Sequence, residues 1–388
     1  QVLNLVTFVV TQLAMGITVL IARYLGEKKE EQIGSIIGGG TVVFAAISLV
    51  LFVVMVGFAR PIAVLMQAPE EAVGLTAAYI RICGAGIFFI VAYNVLSAIF
   101  RGLGDSNSPL LFVFVACIVN IVGDLVLVAG LGMDAMGAAL ATVFAQALSV
   151  VFAIVRLVKK GLPFTITGYD FRWNPQCGKF LQIGLPLALQ ECLTQGSFLA
   201  LCAFVNRLGL EASSGYGVAC KIVNFAMLIP SALMQSTSSF VSQNVGAGEQ
   251  KRAKKTMFTG IGIGLLVGCF VFVLVFFRGN LLAGIFSADA AVVQRGYEYL
   301  KGFAPETLLT AVLFSMMGYF NGNGKTVWVM LQGLIQTLLV RLPFAYYMSI
   351  QPDASLTNIG LAAPISTAVG IVLNVAYFLY LEHAAKRS

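Results

Sequence analysis

The residue best suited to do chemistry in this sequence is Asp124, which lies in an otherwise apolar stretch from Pro109 to Gly130. At about 1.5 Å rise per residue, that stretch is long enough to cross a hydrocarbon core of roughly 30 Å. A carboxylate at this depth costs about 2.5 to 3.5 kcal/mol to insert and can take up and release a proton. Asn120 precedes it by one helical turn, so its amide can hydrogen-bond either form of the acid. We therefore predict a proton or cation site here, with a purely structural contact between helices as the alternative.

Two more of the seventeen acidic residues lie inside apolar segments, Glu191 and Glu306. Glu306 and Arg341 lie at a similar depth in adjacent segments, so we expect a buried ion pair that either functions in transport or only neutralises both charges. Glu191 shares its segment with a dense set of polar side chains, which favours the wall of a water-filled cavity over a lipid-facing surface. A polar stripe that packs against another helix is the alternative. The set comprises Gln190, Thr194, Gln195 and Ser197.

The sequence carries no pattern typical of an enzyme, and we expect neither catalysis nor a resident cofactor. The seven cysteines lie mostly in apolar segments and form no CxxC pair, which argues against disulfides and metal sites. The only histidine is His383, so proton chemistry inside a membrane would depend on carboxylates. The segment 322–326 (GNGKT) resembles the end of a phosphate-binding loop, but Tyr319 stands where that loop needs its first glycine.

The composition indicates a polytopic membrane protein whose main partner is the lipid bilayer. Hydrophobic residues make up 59% of the chain and charged residues 11%, and the mean hydropathy is +0.91. A soluble domain could not hide so much apolar surface from water. The net charge of +7 comes from short loops and not from one exposed face, so we expect no nucleic-acid partner. The chain starts with Gln1 in an apolar run and shows no cleavable signal pattern.

Eleven apolar segments of spanning length follow one another along the chain, and each is predicted to be helical because a lone span must satisfy its own backbone hydrogen bonds. Alternate loops hold most of the 24 lysines and arginines, beginning with Arg23, Lys28 and Lys29. The positive-inside rule places those loops and the C-terminus in the cytoplasm of a multi-pass protein of the cell membrane. The segments are residues 1–23, 33–57, 83–101, 109–130, 136–158, 179–206, 217–243, 256–278, 299–320, 326–349 and 357–381.

An internal repeat keeps one offset of 220 residues over four of these segments and their loops, and the offset then slips to 223. Six segments separate the copies, so both copies cross the membrane in the same sense, which is a parallel repeat. The repeat partner of segment 179–206 would precede Gln1, so we expect the first of twelve helices to be absent. The matches are Gly26 with Gly246, Tyr79 with Tyr299, residues 100–104 (FRGLG) with 320–324 (FNGNG), and Gly137 with Gly360.

The repeat predicts an all-α polytopic membrane protein built from two bundles of five and six spans. The N-terminal bundle would cover residues 1–158 and the C-terminal bundle residues 179–388. Residues 159–178 form the longest polar stretch and are predicted to be a cytoplasmic linker.

Several motifs along the whole chain resemble those of the MATE (multidrug and toxic compound extrusion) family of prokaryotic transporters. The resemblance implies two bundles around a central cleft, with an ion or proton site in the first bundle. Carried over by motif, the site residues would be Asn94, Asn120, Asp124 and Thr142. An aspartate that the family places in its first helix has no position in this sequence, and the spacing of Glu191 from Pro186 departs from the family pattern. The motifs are YLGEKKEE, FRGLGDS, NIVGD, GAALAT, GLPLALQE and NVGAGEQKRA.

The resemblance implies a monomeric secondary antiporter that exports small organic solutes, cationic and amphipathic, in exchange for H⁺ or Na⁺ by alternating access. Oxygen-bearing groups suit a proton or a hard cation such as Na⁺ at Asp124, so the residues do not choose between them. The position that matches Asp124 in the second copy is Phe344, so the two halves share a fold but not this chemistry. The alternatives are a flippase or exporter of a lipid-linked or metabolic solute, and a passive channel, for which the sequence has no ring of filter residues.

Overall fold

A computed structural model describes residues 2–65, 70–160 and 165–386, and these residues are almost entirely helical, with no strand among them. Nine of the described helices are long and apolar enough to cross a membrane, and two further helix pairs qualify as bent spans. With each pair taken as one span, the described residues contain the eleven spans that the sequence predicted. The all-α membrane fold is therefore confirmed.

The first five spans, together with the short helix α3 that follows the second span, comprise seven helices. A bend of 52° separates α4 from α5. A π-helical segment, Leu125–Gly130, directly continues α6 and completes its span. The helices are α1 (Val2–Gly26), α2 (Glu31–Gly57), α3 (Ala59–Leu65), α4 (Val73–Ala85), α5 (Ile87–Gly102), α6 (Asn107–Asp124) and α7 (Asp134–Lys160).

The remaining six spans comprise nine helices. The bent span is α11 with α12, at an angle of 48°, and the bend falls at Ala304 and Pro305. A second π-helical segment, Ile335–Arg341, joins α13 to α14. The helices are α8 (Pro175–Asn206), α9 (Leu210–Gly246), α10 (Gln250–Gly284), α11 (Ala290–Phe303), α12 (Glu306–Gly322), α13 (Thr326–Leu334), α14 (Leu342–Ser349), α15 (Leu356–Gly360) and α16 (Ala362–Ala385).

The chain divides into two compact units, Gln1–Ala188 and Leu189–Ser388, and the division falls inside α8. The first unit has an apolar core that includes Ile17, Phe44 and Phe180. The second has its own core, which includes Tyr216 and Tyr299. The segment 159–178, proposed above as a linker, precedes this division, and its described part packs within the first unit.

Close backbone contact holds the first part of α8 in the first unit. A Cβ atom added to Gly16 of α1 would overlap the backbone carbonyl of Phe180, and one added to Gly184 would overlap that of Leu13. Small residues that allow such an approach are typical of helix packing in membranes, where dispersion contacts replace the hydrophobic effect.

The internal repeat appears in the structure as identical turns at the same offset. After α5, the Asp105 amide donates to the Phe100 carbonyl at 2.9 Å, and after α12 the Lys325 amide donates to the Phe320 carbonyl at 2.8 Å. The glycine in each turn has a left-handed backbone, with φ of +79° at Gly104 and +75° at Gly324. Only glycine adopts this conformation without steric cost, which explains why this part of the repeat keeps its glycines.

Candidate functional site

Asp124 is the last residue of α6 and directly precedes the π-helical segment Leu125–Gly130. The residue is half-buried, but its Oδ1 atom is fully buried and has no hydrogen-bond donor among the described residues. A buried carboxylate oxygen without a donor is costly, and binding a proton or a cation removes that cost. Single π-helical turns inside α-helices occur frequently at functional sites.

Asn120 and Thr142 meet beside this acid, where α6 packs on α7. The Asn120 amide donates to the Thr142 hydroxyl at 3.4 Å, and that hydroxyl donates to the Ala138 carbonyl at 2.9 Å. Gly123 allows the approach, because a Cβ atom there would lie 2.8 Å from the Cβ atom of Ala141. With its proton used by the backbone, the Thr142 oxygen is available only as an acceptor, as is the Oδ1 atom of Asn120.

Tyr79 of α4 adds a hydroxyl to this cluster. It interacts with the side chains of Thr142 and Cys83 and lies within electrostatic range of Asp124. Sequence reasoning found Tyr79 only as a match to Tyr299 in the repeat and assigned it no role. The distance of α4 from α7 along the chain hid the contact.

Asn94 lies apart from these residues in the hydrogen-bond network. It is 7% exposed, its Oδ1 atom accepts from the Thr11 hydroxyl at 2.7 Å, and its amide donates to the Ile90 carbonyl at 2.8 Å. Within residues 2–65, 70–160 and 165–386, no hydrogen bond joins Asn94 to Asn120, Thr142 or Asp124. The structure thus joins Asn120 to Thr142 one helical turn from Asp124 and pairs Asn94 with Thr11, and the role of these four residues in ion binding stays a prediction.

In the second unit, Gln190, Glu191, Thr194 and Gln195 of α8 are half-buried, and the hydrogen bonds of Gln195 to Glu191 and of Thr194 to Gln190 do not join them into one group. The Gln195 amide donates to the Glu191 carboxylate at 2.7 Å. The Thr194 hydroxyl donates to the backbone carbonyl of Gln190 at 3.0 Å, and the Gln190 side chain packs on Gly333 of α13. Glu191 and Gln195 therefore form the polar pair of this helix, while Gln190 and Thr194 serve packing within the unit.

Glu306 and Arg341 lie together in the interior of the second unit, at 4% and 8% exposure. The guanidinium Nη2 atom is 3.9 Å from the Glu306 Oε1 atom, and its Nε atom donates to the Ser366 hydroxyl at 3.2 Å. The Thr367 hydroxyl donates to Glu306 Oε1 at 2.8 Å. The pair is thus embedded in polar partners from α16, although Glu306 Oε2 is buried with no donor among the described residues.

Two glutamines extend this network, and sequence reasoning missed both. Gln332 donates to Gln336 at 2.6 Å, and Gln336 donates to the Thr367 hydroxyl at 3.0 Å. Each donor points toward Glu306, so the chain of hydrogen bonds stabilises its carboxylate. Gly370 leaves room for both amides, because a Cβ atom there would lie 2.6 Å from each. The glutamines stand one turn apart, which is a signal that a search for buried polar stripes could have used.

Comparison with known proteins gives one consistent result. A family model described as MatE matches residues 1–126 and 186–347, about three quarters of the chain. The two matches to one model fall on the two copies of the repeat.

Three relatives of known name are similar over much of the chain. The Probable multidrug resistance protein YpnP of Bacillus subtilis is 27% identical over 286 residues, which is 74% of this chain and 64% of the relative. The Probable multidrug resistance protein YoeA of the same organism is 24% identical over 94% of this chain and 81% of its own length. The Multidrug export protein MepA of Staphylococcus aureus is 26% identical over 83% of this chain and 72% of its own length.

Solved structures share the fold at low identity. A multidrug resistance MATE family transporter of the MOP superfamily, in an outward-facing conformation, superposes with a TM-score of 0.93 at 21% identity and covers 100% of this chain and 86% of that one. A MOP superfamily transporter from Pyrococcus furiosus, described as having a binding pocket of reverse polarity, gives the same values.

Proposed function

Because this chain belongs to the MatE family of multidrug efflux transporters, we propose that it is a secondary antiporter that exports organic, cationic and amphipathic compounds in exchange for H⁺ or Na⁺. The observation that carries the proposal is the buried, donorless Oδ1 atom of Asp124 at the junction of α6 with a π-helical segment. An entering ion would occupy that position. Its arrival would convert a costly buried charge into a neutral site.

In this mechanism, the neighbours of Asp124 hold the entering ion in place. The carboxylate would accept a proton, or ligate Na⁺ together with the acceptor oxygens of Asn120 and Thr142. Tyr79 would orient Thr142 through their contact. Release of the ion restores the bare carboxylate, so the protein has two states of different charge that can favour different conformations, as alternating access requires.

Energetics limit the exchange that one coupling acid can drive. Each elementary charge that crosses 100 mV gains about 2.3 kcal/mol. Exchange of one proton for one monovalent cation moves no net charge, so only the chemical gradient of the ion would drive it. With a second coupling acid, two ions could enter for each cation exported, so the membrane potential would also drive the exchange. Glu191, held by Gln195, is the candidate for this second acid in the second unit.

A cationic cargo fits the charges inside the spans. Asp124 and Glu191 lie inside spans in addition to the Glu306–Arg341 pair, and their carboxylates are groups that a cationic solute could contact. The alternative is a flippase or exporter of a lipid-linked or metabolic solute, and the observation that favours it is the presence of Arg341 within a span. We also propose that the protein is a monomer of the cell membrane with a cytoplasmic C-terminus.

Transport in everted membrane vesicles tests the coupling role. We expect a proton gradient alone, or a sodium gradient alone, to drive movement of a cationic dye by the wild-type protein. We expect Asp124→Asn to abolish the ion-driven part. Asp134→Asn is the matched control, because Asp134 is exposed at the start of α7 and its backbone, at φ +47°, tolerates asparagine. Unchanged ion-driven transport by Asp124→Asn contradicts the proposal, and preferential transport of an anionic lipid-linked solute favours the alternative.

A further inference from the structure

Three aromatic side chains are exposed in the segment that precedes α8. Tyr169 is 80% exposed, Phe171 48% and Trp173 67%. Exposed rings this close together on a protein surface form an apolar patch that calls for an explanation. Asp170 and Arg172 separate the rings and Asn174 follows them, and Asp170 and Asn174 are half-buried.

The polar residues fix this segment to the start of α2. The Ser35 hydroxyl donates to the Asp170 carboxylate at 2.7 Å, and the Thr167 amide donates to the same carboxylate at 2.8 Å. The Asn174 amide donates to the Ser35 carbonyl at 2.8 Å. Gly38 admits the backbone of Asp170, which a Cβ atom at position 38 would overlap. The rings are thus held outward by a docked backbone and not carried on a free loop.

The length of α2 indicates how deep in the membrane this contact lies. With 27 residues, α2 is about 40 Å long, roughly 10 Å more than a hydrocarbon core. Gly38 lies two turns inside the helix, about 10 Å from its first residue. With the excess length shared between the two ends, Ser35 lies near the boundary between lipid headgroups and acyl chains, about 6 Å from Glu31, and Gly38 lies about 5 Å deeper. The segment docked on these two residues therefore lies at that boundary.

The chemistry of the rings suits a bilayer interface. Tyr and Trp are enriched at that boundary in membrane proteins, because they have an apolar body and a polar tip. Arg172 stands between the rings, and Lys159 lies near the end of the preceding span, so basic groups are available to anionic headgroups. A protein partner is disfavoured by size, since three rings of about 150 to 250 Å² each fall short of the roughly 800 Å² per side of a stable interface.

We propose that Tyr169, Phe171 and Trp173 insert into the headgroup region of the adjacent leaflet and anchor this segment to the membrane. The segment that contains these rings, predicted from its polar residues to be a solvated linker, would then be an anchor that packs on α2 and inserts into the membrane interface. Asp170 and Asn174 position the rings through α2, and Arg172 contacts anionic phosphate groups.

Tryptophan fluorescence gives a direct test, because the chain has only two tryptophans. Trp328→Phe leaves Trp173 as the single reporter, in vesicles of phosphatidylcholine and phosphatidylglycerol. We expect its emission to be blue-shifted from that of tryptophan in water, quenched by lipids brominated near the headgroup end of the acyl chain, and protected from iodide. Water-like emission that iodide quenches fully and brominated lipids do not quench would overturn the proposal.

Trp173→Phe provides the control, since it leaves Trp328, which donates to Asn374 at 2.9 Å and stacks on Tyr377. Subtracting its spectrum from that of the wild-type protein isolates Trp173 without changing Trp328, which keeps the test valid if Trp328→Phe folds poorly. Replacing phosphatidylglycerol by phosphatidylcholine should weaken the lipid quenching of Trp173 if Arg172 contacts anionic headgroups. A Trp173 signal that follows the protein-to-lipid ratio and not lipid bromination would indicate contact between copies of the chain and also overturn the proposal.

Discussion

Lys28 and Gly248 occupy the same position in the two copies of the repeat, and both have a left-handed backbone. Their φ angles are +57° and +77°. The turns around them match bond for bond: the Lys29 amide donates to the Tyr24 carbonyl at 2.9 Å, and the Glu249 amide donates to the Asn244 carbonyl at 2.8 Å. One copy thus uses the residue suited to this turn, while the other places a lysine in a conformation that L-residues avoid.

We expect Lys28→Gly to stabilise the protein. A side chain in the left-handed region costs about 1 to 2 kcal/mol, part of which is offset by the greater flexibility of glycine in the unfolded chain. A net gain of about 0.5 to 1 kcal/mol should raise the midpoint of thermal unfolding in detergent. Gly248→Lys is the matched reverse change and should lower the midpoint. Opposite signs for the two variants are the essential result, and equal shifts would mean that the turn conformation does not matter.

Much of the fold could be predicted from the sequence, because the membrane allows few solutions. Apolar runs such as that around Asp124 must be helical, and the eleven spans predicted from such runs are present in the part of the chain that the structure describes. The bends and π-helical segments could not be predicted. Gly86 lies at one bend and Pro305 at the other. Glycine and proline also occur at kinks within continuous helices, so neither residue alone predicts that a span is divided into two helices.

The candidate site was predictable where its residues share a helix or a motif, and not where helices distant in sequence meet. Asn120 and Asp124 follow from spacing on one helix. Tyr79 and Thr11 come from α4 and α1, and only tertiary packing brings them to Thr142 and Asn94. The resemblance grouped Asn94 with the acid, whereas its hydrogen bonds in the structure go to Thr11 and its own helix.

The loop before α6 should make stability depend on pH below about pH 4. Burial raises the pKa of Asp105, but hydrogen bonds from Lys160 and Ser108 outweigh it and lower that pKa to about 2. The pKa of an aspartate in the unfolded chain is about 3.9. The stabilisation from Asp105 is therefore complete above that pH and is lost as pH falls toward 2.

We therefore expect Asp105→Asn to lower stability by about 1 kcal/mol at neutral pH, as for loss of a helix-capping carboxylate, with the difference from wild type shrinking below pH 4. Thermal unfolding across pH 7 to 3 checks this. Lys160→Gln should have a smaller effect, since Lys160 is 55% exposed. If the stability difference between Asp105→Asn and the wild-type protein grew as pH falls, the prediction would be contradicted.

The buried pair in the second unit should be a source of stability only while both members are present. Glu306→Gln leaves the Arg341 guanidinium without its carboxylate in an interior position, and removing one partner of a buried pair costs about 3 to 5 kcal/mol. The double change Glu306→Gln with Arg341→Gln removes both charges and should recover most of that loss, as measured by thermal unfolding.

Lys254 and Glu382 provide the control for this pair, because they form an ion pair in the same unit with side chains 32% and 31% exposed. Glu382→Gln should cost no more than about 1 kcal/mol. If the double variant were as unstable as Glu306→Gln alone, an unpaired charge would not explain the loss.

Tyr79→Phe should weaken ion coupling without unfolding the protein. It removes the hydroxyl that interacts with Thr142 near Asp124. Loss of a polar contact worth no more than one hydrogen bond, about 0.5 to 1.5 kcal/mol, corresponds to a decrease of up to about tenfold in apparent ion affinity. The measurement is dye transport at a series of proton or sodium concentrations. Tyr299→Phe is the repeat-matched control, and an equal effect from both variants would remove Tyr79 from the coupling site.

Gly123→Ala tests whether close packing of α6 on α7 sets the geometry of the ion site. The new Cβ atom would lie 2.8 Å from that of Ala141, so the helices must separate slightly and draw Asn120 away from Thr142. We expect weaker ion coupling together with a modest loss of stability. Gly74→Ala in α4 is the control, because a Cβ atom there meets nothing within 4 Å and should leave coupling unchanged while favouring the helix by up to about 1 kcal/mol. A site that depends on the Asn120–Thr142 contact cannot tolerate separation of α6 from α7. Normal coupling by a destabilised Gly123→Ala variant would therefore show that the contact between Gly123 and Ala141 serves packing alone.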